Sequence, residues 1–234
     1  MKKIFFLAAA MLLTITAFAE TMPANDSRVT YVGRTMVEGT DVSFDWTATY
    51  FRIAFSGKSL TMRASETKWD ADADKAATRH NYYNVWIDSP TSAEPHRIIE
   101  VAGNDTVIEL IDPAYLKKSR RAVHEVIVQK RTEGEQGKTT VRTFMTDGKF
   151  FPAEPLKERQ LEFIGDSYTC GYGIDATSRK ERFTPETENA SRSYAGIVSR
   201  YFGADYVAIA HSGMGIARNY NSKFKGWWSM KVQS

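Results

Sequence analysis

Ser167 stands just after a short apolar run and opens a glycine-rich turn. The run is Leu161–Ile164, and Gly165 ends it two residues before the serine. An apolar stretch of this length bounded by glycine predicts a buried strand of an α/β sheet, and ligand sites in such sheets lie just beyond the carboxyl ends of the strands. Gly165, Gly171 and Gly173 are expected to leave room for a substrate and for the serine's own backbone N–H. The pattern therefore predicts an exposed serine nucleophile.

A second apolar run leads into another glycine turn further along the chain. Asp205–Ala210 predicts a second buried strand, and it continues into His211-Ser-Gly-Met-Gly-Ile-Ala-Arg-Asn-Tyr220. The first turn differs from the Gly-x-Ser-x-Gly elbow of the α/β-hydrolases, because Thr169 stands two residues after the serine. Strand, serine turn, helix, strand and glycine turn thus follow one another along the chain.

Both turns resemble those of the SGNH (GDSL-type) hydrolases, and more narrowly those of carbohydrate esterase family 2, with other SGNH esterases as the alternative. The strings that carry the resemblance are Gly165-Asp-Ser-x-Thr-Cys-Gly-Tyr-Gly173 and Ser212-Gly-x-Gly-x-x-Arg-Asn-Tyr220. The resemblance implies a serine esterase that removes acetyl groups from plant polysaccharides such as xylan and mannan, without a cofactor or metal. It also implies that Ser167 is the nucleophile and that the backbone N–H of Gly213 helps to form the oxyanion hole.

The chain divides into two regions with different patterns. Short alternating or β-rich runs separated by turn residues recur from Arg28 to about Lys149, which predicts an antiparallel sandwich of jelly-roll type. The segments Phe44–Gly57 and Val128–Glu133 also resemble the amino-terminal sandwich of family 2 esterases. A proline-bearing linker near Pro155 then leads into the strand–turn–helix–strand region.

We predict a β-sandwich domain at residues 20–155 and an incomplete α/β SGNH-hydrolase (flavodoxin-like) domain at residues 156–234. Asp175–Ala190 is polar and weakly patterned, which predicts a surface loop. A helix is predicted at Ser193–Phe202, with Gly203 ending it. Its apolar stripe is expected to pack against the sheet and consists of Tyr194, Ile197, Val198 and Tyr201.

Two further blocks of the SGNH family do not occur in the 234-residue sequence. These are Gly-x-Asn-Asp, whose asparagine is an oxyanion donor, and a late Asp-x-x-His pair that holds the base. Attack by a serine needs a base to take its proton. We therefore expect a carboxy-terminally truncated chain that keeps Ser167 but has little esterase activity. A non-catalytic carbohydrate-binding or structural sandwich protein is the alternative.

Four histidines are available as bases. His80, His96 and His124 fall in the predicted sandwich, where a position on a strand face or on the surface is the commoner explanation. His211 follows the second strand, so it is a candidate substitute base by reach alone. It matches no residue of the family's pattern.

The amino terminus predicts an export signal. Two lysines, the apolar stretch Ile4–Leu13 and the small residues of Ala17-Phe-Ala19 give the order of a signal peptide over residues 1–19, cleaved after Ala19. The alternative is a membrane anchor, but an anchor needs about twenty apolar residues and the stretch Ile4–Leu13 is shorter. We expect a secreted or periplasmic protein without a membrane span after cleavage.

Charge and cysteine content exclude some classes of function. Without the two leader lysines, the 31 Lys and Arg residues become 29, against 28 Asp and Glu residues. This nearly neutral balance does not predict the basic surface that binds nucleic acid. It predicts no particular oligomeric state. Cys170 is the only cysteine, so no intrachain disulfide forms, and we interpret it as a buried apolar residue rather than a nucleophile.

The remaining motifs have ordinary structural interpretations. Asp166 is expected to hold the serine turn through backbone hydrogen bonds rather than to act as a triad acid. Asp70–Asp74 resembles the start of a calcium loop, but Lys75 stands where that loop needs glycine, so a solvated acidic loop is expected. Tyr82 and Trp86 share one strand face, where packing at the domain interface is favoured over stacking on a sugar.

Overall fold

The computed structural model describes residues 19–68 and 80–220. The predicted leader up to residue 18, the acidic loop Asp70–Asp74 and the chain from residue 221 lie outside the described residues. Of the helices in the described ranges, none has the length and apolarity needed to cross a membrane.

The described residues form fourteen strands and three α-helices. The strands are β1 (Glu20–Pro23), β2 (Thr30–Val32), β3 (Met36–Glu38), β4 (Asp41–Phe44), β5 (Tyr50–Phe55), β6 (Leu60–Thr67), β7 (Asn81–Ile87), β8 (Arg97–Val101), β9 (Thr106–Glu109), β10 (His124–Lys130), β11 (Lys138–Thr146), β12 (Phe150–Phe151), β13 (Gln160–Gly165) and β14 (Asp205–Ala210). The helices are α1 (Pro113–Lys118), α2 (Ser167–Cys170) and α3 (Tyr194–Tyr201), with 3-10 turns at Gly134–Gln136, Pro185–Thr187 and Ala190–Arg192.

The first twelve strands form two antiparallel sheets. One has the order β3-β4-β11-β6-β9, with β1 also paired to β11, and the other has the order β12-β5-β10-β7-β8, with β2 also paired to β5. Apolar side chains from both sheets share one core. Across it, the rings of Phe51 and Phe144 lie 5.3 Å apart and those of Phe44 and Tyr83 lie 6.3 Å apart. The predicted antiparallel sandwich is present, while its jelly-roll topology stays a prediction.

Strand β5 is buried along its whole length because both of its faces are covered. Phe51, Ile53 and Phe55 point into the sandwich core. On the opposite face, Tyr50 joins a second apolar cluster that includes Tyr206 of β14. Strand β5 therefore positions the second half of the chain against the sandwich.

Strands β13 and β14 pair in parallel, from Gln160 opposite Asp205 to Gly165 opposite Ala210. The prediction that β13 is a buried strand was wrong. Leu161 and Phe163 pack on the second apolar cluster, but Ile164 is 79% exposed. Within the described residues the sandwich covers one face of this pair, so alternate side chains of β13 remain open to solvent.

Helix α3 lies close to its predicted position, and Gly203 follows it with φ +61°. The prediction that its apolar stripe packs against the sheet holds for Tyr194, whose ring meets that of Phe163 in β13 edge to face with centroids 5.8 Å apart, but it was wrong for Ile197 and Tyr201, which are exposed. Its buried residues are Ala195, Gly196 and Ser199. Small residues allow close packing here, since a Cβ on Gly196 would lie only 2.4 Å from the carbonyl oxygen of Ser191.

Candidate active site

Ser167 is the first residue of α2, two residues beyond the end of β13, and it is half-exposed. Asp166 caps this short helix, because its carboxylate accepts the Tyr168 N–H at 3.0 Å. The predicted role of Asp166 in holding the turn is therefore confirmed. Within the described ranges the Ser167 hydroxyl makes no hydrogen bond to protein, which leaves it free to meet a substrate.

The glycines beside Ser167 are required by close contacts within the protein. A Cβ on Gly165 would lie 2.1 Å from the Thr169 hydroxyl, and one on Gly171 would lie 2.3 Å from the carbonyl oxygen of Asn189. Gly171 also ends α2 in the left-handed conformation, with φ 75°. The expectation that these glycines leave room for substrate therefore gives way to a packing explanation at both positions.

Gly213 lies in the turn after β14, with φ +79°. Its carbonyl oxygen accepts the Tyr220 N–H at 2.7 Å, and the His211 N–H donates to the Gly165 carbonyl at 3.3 Å. The parallel pairing of β13 and β14 therefore places the Ser167 and Gly213 turns at the same sheet edge. Among the described residues the Gly213 N–H has no acceptor, as an oxyanion donor requires.

His211 lies at this edge, and the other three histidines lie in the sandwich, as expected. The His211 Nδ1–H donates to the Ser212 carbonyl at 2.8 Å, which leaves Nε2 as an acceptor. His80 binds Glu66 and buried His124 binds Asp88, at 2.8 and 2.7 Å. His96 meets the Tyr115 ring edge to face, with ring centroids 4.8 Å apart. Only His211 is near the site.

A buried acidic cluster lies behind the two turns and was not predicted. Glu133, which follows β10, and Glu188 each have 0% exposure, and the Glu133 N–H donates to the Glu188 carboxylate at 3.1 Å. Burial, and then the neighbouring Glu133 carboxylate, raise the pKa of Glu188 well above its usual value. The sequence signal was the charged tail Lys130-Arg-Thr-Glu133 at the end of an apolar strand.

Cys170 and Lys130 complete this cluster. Cys170 is buried as predicted, and burial followed by the two nearby carboxylates raises the pKa of its thiol. One ligand atom each from Glu133, Cys170 and Glu188 lies within 4.8 Å of the others, so this trio has the spacing of a metal site. However, buried Lys130 donates from Nζ to the Glu133 carbonyl at 2.9 Å, and burial lowers its pKa to about 8. This adjacent cation favours a hydrogen-bonded cluster over a bound metal cation.

Arg131 joins the sandwich to the segment that follows the serine turn. Its guanidinium donates to Asp175 and Asn84 at 2.7 Å and to the carbonyls of Glu186 and Glu188 at 2.9 and 3.1 Å. The prediction that residues 175–190 form a surface loop was therefore wrong at its carboxyl end, where residues 187–190 are buried. Residue propensities along the sequence do not predict that a buried arginine from the sandwich donates hydrogen bonds to the carbonyls of this loop.

Tyr82 and Trp86 have separate roles. The Tyr82 hydroxyl donates to Glu186 at 2.8 Å, which confirms packing against the second half of the chain. Trp86 is 1% exposed, and its indole N–H donates to the Ala93 carbonyl at 3.0 Å within the sandwich. Trp86 is therefore not available to stack on a sugar.

Asp205, the first residue of β14, anchors the parallel pair to β5. Its carboxylate accepts hydrogen bonds from both terminal nitrogens of Arg52, from the Tyr50 hydroxyl at 2.7 Å and from the Lys157 N–H at 2.8 Å. Burial alone would raise the pKa of Asp205, but these hydrogen bonds outweigh it and hold the pKa below its usual value. This ion pair fixes the end of β14 opposite to the Gly213 turn.

Comparisons with known proteins identify relatives over most of the chain. An acetylxylan esterase / glucomannan deacetylase from Cellvibrio japonicus is 33% identical over 200 residues, which cover 81% of this chain and 48% of that protein. A family two carbohydrate esterase from Clostridium thermocellum, solved in complex with cellohexaose, has 27% identity and a TM-score of 0.71, covering 83% of this chain and 55% of that one.

The fold comparison extends to a family two carbohydrate esterase from Cellvibrio japonicus, with a TM-score of 0.74 at 23% identity over 88% of this chain and 56% of that one. The chain thus spans about half the length of these three relatives. A family model described as carbohydrate esterase 2 N-terminal matches residues 31–155. Because this match covers more than half of the 234 residues, the chain belongs to carbohydrate esterase family 2.

Proposed function

We propose that this chain carries the nucleophile half of a secreted serine esterase that removes acetyl groups from plant-type polysaccharides such as xylan and glucomannan. The observation that carries the proposal is the presence of Ser167 and Gly213 in turns at one edge of the parallel strand pair. The Cellvibrio japonicus relative, an acetylxylan esterase / glucomannan deacetylase by description, supports the substrate class. The predicted signal peptide over residues 1–19 supports export.

The proposed reaction is transfer of the acetyl group through the serine. Ser167 Oγ attacks the acetyl carbonyl carbon and loses its proton to a base, and the resulting oxyanion accepts the N–H groups of Ser167 and Gly213. Collapse of this intermediate breaks the ester bond and releases the sugar hydroxyl, which takes up the proton. Water then hydrolyses the acetyl-serine by the same steps and releases acetate.

The proton acceptor is the part of the reaction for which the sequence contains no match to the family's pattern. The family's Asp-x-x-His and Gly-x-Asn-Asp strings do not occur in the 234 residues, so His211 is the one histidine beside the site. Its Nδ1–H is held by the Ser212 carbonyl, which leaves Nε2 as the proton acceptor. We propose that turnover by this chain is therefore near the level that binding and oxyanion donors alone support.

The domain assignment belongs to the same proposal. We assign residues 20–155 to a jelly-roll sandwich domain and residues 156–234 to the first part of an SGNH-hydrolase domain. The match of the family model to residues 31–155 and the change from antiparallel to parallel pairing after Pro155 support this division.

Turnover of 4-nitrophenyl acetate and acetate release from acetylated xylan test the proposal. We expect slow release by the purified chain that falls to the uncatalysed rate in Ser167→Ala. Ser178→Ala is the matched control, because Ser178 is an exposed serine of the same region and should have no effect. Equal rates for the wild type and Ser167→Ala would contradict the proposed nucleophile. Fast turnover that is lost in His211→Ala would show that His211 is an effective base.

A non-catalytic carbohydrate-binding role is the second candidate, favoured by the carbohydrate complex of a relative. The Clostridium thermocellum relative was solved with cellohexaose, which indicates that a protein of this family holds a glucan chain. Calorimetry with cellohexaose and xylo-oligosaccharides separates the two candidates. Binding without any acetate release would favour the binding role, and the lack of binding to either glycan would count against it.

A further inference from the structure

Glu133 contacts both turns of the candidate site although it belongs to the sandwich. Its Oε2 accepts the Ser212 N–H at 2.6 Å, one residue before Gly213. The same oxygen lies 3.8 Å from Cys170 Sγ, three residues after Ser167, and 3.9 Å from His211 Nδ1. One buried carboxylate oxygen therefore contacts the residue before Gly213 and the last residue of helix α2, which begins at Ser167.

The position of this carboxylate is itself fixed by the backbone of Glu133. The Glu133 N–H donates to the Glu188 carboxylate at 3.1 Å, and its carbonyl accepts Lys130 Nζ at 2.9 Å. The side chain has no exposed surface. Since neither the backbone nor the side chain can shift without breaking a buried hydrogen bond, Glu133 presents a rigid acceptor to the Ser212 N–H.

Peptide planarity transmits this constraint to Gly213. The bond to Glu133 orients the peptide between His211 and Ser212. The Ser212 carbonyl then accepts the His211 Nδ1–H at 2.8 Å, and this carbonyl belongs to the same planar peptide as the Gly213 N–H. Holding the carbonyl on one side therefore directs the Gly213 N–H to the other side.

We propose that Glu133 is a positioning residue of the esterase site, through which the sandwich fixes the turn that presents the Gly213 N–H to the oxyanion. The inference rests on the proposed function and extends it, because it assigns the sandwich a part in the reaction. Glu133 acts through Ser212 and does not touch the substrate.

Amide hydrogen exchange in the full chain, followed by NMR, tests the contact without relying on turnover. Glu133→Gln keeps the length and an acceptor oxygen, Glu133→Asp keeps the charge but shortens the reach, and Glu133→Ala removes both. We expect Ser212 to exchange about ten to a hundred times faster in the Asp and Ala variants, as for a lost bond to a charged acceptor. Glu133→Gln should stay close to the wild type, and the amides of β14 should be unchanged in all three. Glu125→Ala, an exposed position on β10, is the control.

The rate at which Ser167 is phosphorylated by diethyl 4-nitrophenyl phosphate tests the consequence. An oxyanion donor contributes about a hundredfold or more to acyl transfer, so we expect at least a tenfold slower reaction in Glu133→Asp and near-normal rates in Glu133→Gln. Unchanged Ser212 exchange in Glu133→Asp would overturn the proposal, as would a normal labelling rate once exchange has risen. Labelling that persists in Ser167→Ala would instead refute the proposed function, while the exchange result would still decide whether Glu133 holds the turn.

Discussion

At the scale of single residues, the charge of Glu188 is linked to the stability of the fold. Its pKa is raised by burial and then by the Glu133 carboxylate, so its contribution to stability is complete below the usual value near 4.5 and is lost as the pH rises through the folded value. Lys130, whose pKa burial lowers to about 8, changes charge at higher pH. Between pH 5 and 7, the difference in stability between the wild type and a Glu188 variant therefore reports on Glu188, because the other titrating groups are common to both proteins.

We predict that Glu188→Gln gains stability relative to the wild type as the pH rises from 5 to 7, because the amide stays neutral. The free energy of unfolding from urea titrations at pH 5, 6 and 7 measures this gain. Glu125→Gln, at an exposed site, should differ from the wild type by the same amount at each pH. A difference between Glu188→Gln and the wild type that does not vary with pH would contradict the linkage.

At the scale of elements, sequence periodicity located helix α3 but placed most of its apolar stripe on the wrong face, since only Tyr194 of the three exposed members contacts β13 in the described residues. The stripe of Tyr194, Ile197 and Tyr201 has the spacing of a packed face, yet the small residues Ala195 and Gly196 are buried. Periodicity measures hydrophobicity, whereas a close approach between backbones selects for small side chains. The Gly196 contact with the Ser191 carbonyl is of this second kind, and a single sequence does not reveal it.

The exposed stripe of α3 leads to a prediction about solubility. Ile197→Glu and Tyr201→Glu should change the free energy of unfolding by less than about 0.5 kcal/mol, as for exposed positions, and should reduce self-association by removing apolar surface. Urea titration and light scattering at increasing protein concentration measure the two effects. Ala195→Glu, at a fully buried position of the same helix, should prevent normal folding. Strong destabilisation by Ile197→Glu would mean that this face is packed.

The segment from Asp175 to Asn189 depends on Arg131 for its position. Arg131 donates to two side chains and two carbonyls with a planar guanidinium that a lysine ammonium cannot replace. We predict that Arg131→Lys increases the rate of trypsin cleavage after Arg179 or Lys180, because the loop is released from the sandwich. Arg121→Lys, at an exposed position, should leave the cleavage rate unchanged. Equal cleavage rates in both variants would show that the loop is held by other contacts.

At the scale of the whole molecule, the antiparallel strands and the order of the two turns could be predicted from the sequence, because both depend on local patterns. The contacts that join the sandwich to the parallel strand pair could not be predicted. Arg52 and Asp205 are 153 positions apart, and neither residue is distinguished by its neighbours in sequence. Glu133 was missed for the same reason, since its partners Glu188 and Ser212 come close only in the folded chain.

The Arg52–Asp205 pair should be the strongest polar link between the halves. Removing one partner of a buried ion pair leaves the other charge unpaired, so we predict that Arg52→Met and Asp205→Asn each cost about 3–5 kcal/mol. The double variant should cost clearly less than the sum, because it buries no orphaned charge. Urea unfolding of the four proteins in the cycle gives this coupling energy.

The acid dependence and a surface pair complete this test. Because hydrogen bonds hold the pKa of Asp205 below its usual value of 3.8, its contribution is present above that value and is lost as the pH falls through the folded value. The difference between the wild type and Asp205→Asn should therefore shrink below about pH 4.

Arg34 and Glu162 also join the halves, at 3.6 Å, but are 61% and 54% exposed, so Arg34→Met and Glu162→Gln should show almost no coupling. Equal coupling for the two pairs would mean that burial of Asp205 does not strengthen its bond to Arg52.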